Sequence, residues 1–295
     1  MTQTIVANLW FEQDVEESVA RYVAIFDPVA PGGAELTSTT RYPTDGLPDF
    51  QEQLAGQALT VDFRLGDTAF TAINGGPAFR PNAAISFSVA LRDRAAVDQV
   101  WAALAEGGST LMDLGEYPFN PYYGWVEDRN GFSWQVALAA PDAEPRPFVV
   151  PSLLFSGERV GRAAAALQHY VDVLGGEVGV QAPYPEPTGP AAAGDLMYGD
   201  ALVGGSRVAA MDSGVEMDAP FTEAVSLMVA CDGQDELDRV WAGLSRVPEA
   251  EQCGWCRDKF GVSWQVVPAN LGELMQRPDA YPKLMQMGRI VIDEF

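Results

Sequence analysis

One stretch of this chain occurs twice, and nothing else in it limits the possible fold so strongly. Gly124-Trp125-Val126-Glu127-Asp128-Arg129-Asn130-Gly131-Phe132-Ser133-Trp134-Gln135-Val136 returns as Gly254-Trp255-Cys256-Arg257-Asp258-Lys259-Phe260-Gly261-Val262-Ser263-Trp264-Gln265-Val266. Both keep Gly-Trp and then Asp-x-x-Gly-x-Ser-Trp-Gln-Val at the same internal spacing. A pattern of this length is not kept by chance, so the protein is two copies of one domain.

The echo runs through most of the chain. Ala84-Ile85-Ser86-Phe87-Ser88-Val89 matches Ala224-Val225-Ser226-Leu227-Met228-Val229, and Val97-Asp98-Gln99-Val100-Trp101 matches Leu237-Asp238-Arg239-Val240-Trp241. Leu65-Gly66 pairs with Val203-Gly204, and Val6 to Phe11 with Val150 to Phe155. The offset between copies shrinks along the chain, so the copies differ by loop insertions. Copy one has the longer loop before its last hairpin, Met112 to Tyr122, and copy two has a Pro-rich stretch from Pro183 to Pro190. We expect a first domain over residues 1–140, a stiff Pro-rich join over 141–147, and a second domain over 148–295 whose C-terminal extension starts at about 272.

At 295 residues, the chain can bury two ordinary cores. No apolar run approaches the roughly 20 residues of a spanning helix. Met1-Thr2-Gln3-Thr4-Ile5 lacks the basic and apolar regions of a secretory leader, so the expected compartment is the cytoplasm. A net charge of −23 speaks against nucleic acid or an anionic membrane as partner. Three cysteines are too few for a disulfide scaffold and suit a reducing compartment. Cys253-Gly254-Trp255-Cys256 has redox-motif spacing, but copy one places Tyr123 and Val126 at the same positions. His169, the single histidine, falls in an alanine-rich helix.

Each copy reads strand, helix and three strands, twice over. Ile5 to Phe11 is an apolar strand. Asp14 is placed to cap a helix whose Val15, Ser18, Val19, Tyr22, Val23 and Phe26 recur at helical spacing. Strands follow near Leu59 to Leu65 and Ala69 to Ile73, and Asn74-Gly75-Gly76-Pro77 closes the half. The second half has a strand from Ala84 to Leu91, a helix from Ala95 to Glu106 and a final hairpin turning at Asp128 to Gly131. The expected class is α+β, with tandem domains each built of two βαβββ units whose curled mixed sheets carry helices outside.

That order, with Leu9-Trp10-Phe11, Asn74-Gly75-Gly76-Pro77, Ile85-Ser86-Phe87-Ser88-Val89 and the repeated hairpin, resembles the vicinal oxygen chelate superfamily. Glyoxalases, bleomycin-resistance proteins and extradiol dioxygenases belong to it. Within it the chain is most similar to the PhnB-like group, sometimes labelled by the name of a demethylubiquinone methyltransferase. Tyr281-Pro282-Lys283-Leu284-Met285-Gln286-Met287 also resembles that group's C-terminal segment.

The resemblance implies curled sheets that, in metal-dependent members, hold a divalent ion on residues of the first, fifth and last strands. By motif spacing those positions fall on Ala7, Ala84 and Gln135 in copy one and on Pro151, Ala224 and Gln265 in copy two. Asn8, or Glu223 in copy two, enters only if the register shifts by one. Hard divalent ions take carboxylate, carbonyl or imidazole ligands, so we expect no metal and no cofactor. No glycine-rich turn opens a helix as a nucleotide-type methyl donor site would require.

A trough without a metal is still concave and mostly apolar. Gln135, Ser86, Ser88 and Ser133, with Gln265, Ser226 and Ser263 in copy two, share strand parities that place them along such a trough. Trp125 and Trp255 are candidates for its mouth, whereas Trp134, Trp264, Trp101 and Trp241 are expected in the core. The loop Gly115 to Tyr123 is placed to cap the first copy's trough. The reading is a metal-free binder of a small apolar or mixed-polarity molecule, its two copies forming an intramolecular pseudo-dimer, with further oligomerisation left open. Two alternatives stay open: a divalent-metal-dependent lyase, isomerase or dioxygenase of the same superfamily, and a non-catalytic interaction protein.

Overall fold

The computed structural model describes residues 5–47, 49–142 and 144–295, apart from the side chains of 49 and 50. Met1–Thr4, read above for a leader, and Ala143 of the join lie outside them. Copy one opens with β1 (Ile5–Phe11), α1 (Val15–Phe26), β2 (Ala34–Arg41), β3 (Ala58–Leu65) and β4 (Thr68–Asn74). Its second module is β5 (Ile85–Leu91), α2 (Arg94–Ala105), β6 (Ser109–Tyr117), β7 (Asn120–Glu127) and β8 (Ser133–Leu138). Copy two repeats the first module as β9 (Val149–Phe155), α3 (Ala163–Leu174), β10 (Gly176–Pro183), β11 (Leu196–Val203) and β12 (Ser206–Asp212). Its second module is β13 (Val225–Cys231), α4 (Gln234–Leu244), β14 (Trp255–Arg257) and β15 (Ser263–Pro268), followed by the short helices α5 (Leu271–Leu274) and α6 (Ala280–Leu284). No helix among the described residues is long and apolar enough to cross a membrane.

The sheets do not follow the repeats. The first sheet runs β14-β15-β13-β1-β4-β3-β2 and the second β10-β11-β12-β9-β5-β8-β7-β6. Each therefore joins the leading module of one copy to the trailing module of the other. The seams are antiparallel, with Asn8 opposite Ser226 in one and Ser86 opposite Ser152 in the other.

One face of each sheet packs against the helices, and the other curls on itself, so that its central residues Asn8, Ser226, Ser86 and Ser152 are buried as well. Leu9, Phe63, Phe70, Leu227 and Trp264 point from the first sheet into the core, and Phe87, Trp134, Leu153 and Val203 from the second. Each such large side chain is worth roughly 1.5–3 kcal/mol of apolar burial. Helix α1 closes copy one from this side: Tyr22 and Phe26 lie 5.5 and 5.1 Å from the Trp134 ring of β8. Tyr170 of α3 meets Trp264 at 5.0 Å in copy two. Modules of one copy thus share a core on the helix side, while modules of different copies share a sheet.

The face away from the helices curls. Three strand steps separate β14 from β1, roughly 14 Å if the sheet were flat. The rings of Trp255 and Trp10 nevertheless lie 6.1 Å apart.

Several local expectations are corrected. The fourth module has only two strands after its helix among the described residues. The tail makes up the difference, because the backbone N–H groups of Cys253 and Gly254 donate to the carbonyls of Met287 and Gly288, at 2.7 and 2.8 Å. These are the edge partners that β6 supplies to β7 in copy one. Met112 to Tyr122 is not a loop but the hairpin β6–β7; three register shifts break its alternation and hide it from a period-two reading. Strand β2 has no apolar face to betray it, being an edge strand exposed along most of its length. Asp14 occupies the N-cap position of α1, but its left-handed backbone (φ 55°) leaves its side chain without a capping bond.

Candidate functional site

Residues directly opposite in neighbouring strands point to the same side, so the register defines what lines each trough. Across the first sheet the curled face carries Trp255, Gln265, Ser226, Asn8, Thr71 and Asp62 in strand order. Across the second it carries Trp125, Gln135, Ser86, Ser152, Ala209 and Asp200. The trough position of the first strand is Asn8, not Ala7, which faces the core. On the fifth strand it is Ser86, not Ala84, which precedes β5. From Ala7 to Asn8 the register moves by one residue, which reverses the face; Ala84 and Ser86 share a parity, and Ala84 fails only because the strand begins after it.

The sequence candidates fall where these strands meet. Gln135 Nε2 donates to Ser86 Oγ at 2.7 Å, and Gln265 Nε2 to Ser226 Oγ at 2.9 Å. Ser88 shares a hydrogen bond with Ser152 at 3.0 Å. Ser133 accepts from Trp125 Nε1 at 2.6 Å. Trp255 turns instead to Trp10, leaving Ser263, which is buried on β15, without that donor. Trp10 is held by its own Nε1–H bond to the Gly76 carbonyl, 2.7 Å. That bond needs Gly75, because a Cβ there would fall 2.1 Å from the Trp10 ring.

The troughs differ at their glutamines. In the second, Tyr123 donates to Gln135 Oε1 at 2.8 Å, so both ends of the amide are engaged by protein. Tyr117 and Phe119, from the segment read as a cap, pack on Tyr123 at 5.7 and 5.1 Å. In the first, Cys253 stands where copy one has Tyr123, and Gln265 Oε1 has no hydrogen-bond partner among the described residues. The tail lies along this edge: Cys253 Sγ is 3.7 Å from Met285 Sδ, and Tyr281 donates to Gln51 at 2.9 Å.

Sequence reasoning missed Tyr123, Asn8's trough orientation and the two aspartates. Asp62 accepts from Thr71 at 2.7 Å and Ser38 at 2.6 Å. Asp200, fully buried, accepts from Arg207 at 2.7 Å. Its Oδ2 lies 3.0 Å from Arg146 of the join, an ionic contact without hydrogen-bond alignment. The alignment of Leu65-Gly66 with Val203-Gly204 already pairs Asp62 with Asp200; the signal was available.

The donor set does not fit a divalent cation. Each trough carries one carboxylate, Asp62 or Asp200, and otherwise neutral amides and hydroxyls largely bonded to one another, and no group of three or more His, Cys, Asp or Glu among the described residues is placed to hold a metal. A cleft of about 610 Å³ opens beside the first trough and shares Trp10 with it; it is lined by Trp10 to Asp14, Phe79 to Pro81 and the turn Asp128 to Gly131. Within it Arg80 faces Glu12 at 3.7 Å, and the Ser109 hydroxyl donates to Glu127 at 3.1 Å. It contains no trough glutamine.

A sequence profile described as 3-demethylubiquinone-9 3-methyltransferase matches residues 3–137 and again 147–267. The chain belongs to this family, in two tandem copies. No curated protein matches it. Among solved structures, a putative 3-demethylubiquinone-9 3-methyltransferase, PhnB protein, from Bacillus cereus is 32% identical over 45% of this chain and 98% of its own, with a TM-score of 0.40. Glyoxalase I from Zea mays is 12% identical over 91% of this chain and 94% of its own, with a TM-score of 0.55. The latter shows the fold: this member of the family has a tandem glyoxalase-like architecture.

Proposed function

We propose that the protein binds a small molecule of mixed polarity in the trough of its first sheet, without a metal. The observation that carries this reading is Gln265. Its Nε2 is fixed by Ser226, and its Oε1 is left open on a floor walled by Trp255, Trp10 and Met228. A few placed polar atoms among apolar walls are the usual form of a small-molecule site. The second trough serves the fold in this reading, because Tyr123, Ser86 and Trp125 consume its polar atoms.

The family's printed description names a methyl transfer. That chemistry is not part of the proposal: both sheets are mixed, and the Gly75-Gly76 turn seats Trp10 rather than opening a helix. Native mass spectrometry of untagged protein tests the reading. An organic adduct that Gln265→Ala releases supports it. One stoichiometric divalent metal per chain would overturn it in favour of metal-dependent chemistry.

A further inference from the structure

Asp62 and Asp200 hold matching places in the two troughs, but their surroundings differ in one respect. Asp200 is met by two guanidinium groups, Arg207 from the next strand and Arg146 from the join. Asp62 is met by none among the described residues; its oxygens receive only the hydroxyls of Thr71 and Ser38. The position matching Arg207 is Ala69, exposed on β4. Arg64, next on the same face of β3, is turned away to the Gly66 carbonyl and Glu35.

The second copy therefore displays, inside the same chain, the group that this position accepts: a planar guanidinium on the carboxylate. Guanidinium–carboxylate pairing is directional and stronger than a neutral hydrogen bond. In the first trough the carboxylate is already oriented by two hydroxyl donors, so little rearrangement is needed to receive a cation. Beside it on the same face lie Val6, Ile73 and Trp10, all half-buried. Thr71 and Asn8 stand directly across from Asp62, and these apolar side chains flank that row, Val6 on one side and Trp10 with Ile73 on the other. A cation with a flat apolar body would set its charge on Asp62 and its body against Ile73 and Trp10 on one flank of that row.

We propose that the first trough takes a small organic cation, a guanidinium, amidinium or ammonium compound, with its charge on Asp62. This rests on the trough-binding reading above and gives it a ligand class. The net charge of −23 attracts any cation weakly, so the site must be separated from the general field. At about 0.15 M salt the screening length is near 8 Å, which removes most of that background.

The test titrates the intact chain with benzamidine and with benzamide, its uncharged counterpart, followed by calorimetry and tryptophan fluorescence. Benzamidine should bind at least tenfold more tightly than benzamide. Asp62→Asn should abolish that preference, and Ala69→Arg should block benzamidine by supplying the guanidinium from within, as Arg207 does. Asp45→Asn, which removes one exposed charge elsewhere, should change nothing. Equal binding of both probes would overturn the cation proposal and leave the trough as a neutral binding site. Binding of benzamidine that survives both Asp62→Asn and Ala69→Arg would place the cation elsewhere, and no binding of either probe would overturn the proposal outright; the adduct measurement on the unmodified protein judges the trough reading separately.

Discussion

The hydroxyl of Tyr22 on α1 donates to Asp128 Oδ2 at 2.6 Å, joining the leading module of copy one to the turn of its last hairpin. The same carboxylate accepts from Trp134 Nε1 at 2.9 Å and from the backbone N–H groups of Asn130 and Phe132 at 2.8 and 3.2 Å. Copy two repeats this with Tyr170, Asp258, Trp264, Phe260 and Val262. The Asp-x-x-Gly-x-Ser-Trp motif is thus a clamp inside each copy. Burial pushes both carboxyls above the usual carboxylate range and both phenols well above theirs.

Asp128→Ala should therefore be costly. It leaves a buried hydroxyl, an indole N–H and two backbone N–H groups without their acceptor, a loss on the order of 3–5 kcal/mol. Asp128→Asn, which keeps one acceptor oxygen, should cost less. Urea denaturation followed by tryptophan fluorescence measures both, and equal costs would remove the acceptor role.

The two glutamines should differ in what their loss does to stability. Gln135→Ala strands Tyr123 and Ser86 in a buried site, costing about 1–3 kcal/mol. Gln265→Ala strands only Ser226 and should shift the midpoint by less. A larger loss at Gln265 would contradict the view that its Oε1 faces a ligand rather than the protein.

The tail should protect one thiol. Burial raises Cys253 to about 11, and Cys231 and Cys256 to about 12, so the native chain should react slowly with a disulfide reagent at pH 8. Deleting residues 285–295 removes Met285 and the Met287 and Gly288 acceptors. One thiol, Cys253, should then react fast while Cys231 and Cys256 stay slow. Three fast thiols would mean that the tail holds the whole second copy.

His169 gives the acid limb of stability a single reporter. Burial, with help from Lys259, lowers its pKa below 6.5, and its Nε2 is buried without a partner. A base whose folded pKa is depressed binds fewer protons folded than unfolded. Its contribution is therefore intact above about 6.5 and is lost as pH falls toward the folded value. The one imidazole resonance in the proton NMR spectrum should titrate below 6.5, and His169→Gln should flatten the thermal midpoint between that value and pH 6.5. A resonance titrating at or above 6.5 would contradict the burial.

Much of this was legible in the chain. The repeat, the βαβββ order and the core positions of Trp134 and Trp264 follow from spacing and parity, because alternation along a strand is a local property. The pairing of Gln135 with Ser86, and of Gln265 with Ser226, was within reach of the same logic once the strands were known to be neighbours. The hairpin at Met112 to Tyr122 and the exposed strand Ala34–Arg41 were not, since bulges and an all-polar edge erase the period.

The sequence by itself determined that two copies exist, which faces are apolar and that neutral residues stand at the expected ligand positions of the first, fifth and last strands. Only the tertiary structure decided which module shares a sheet with which, that the tail replaces a missing strand, and that Asp200 is answered by two arginines while Asp62 receives only the hydroxyls of Thr71 and Ser38. The reason is physical: parity and period act between near neighbours in sequence, whereas charge compensation and strand partnership are set by distance in space.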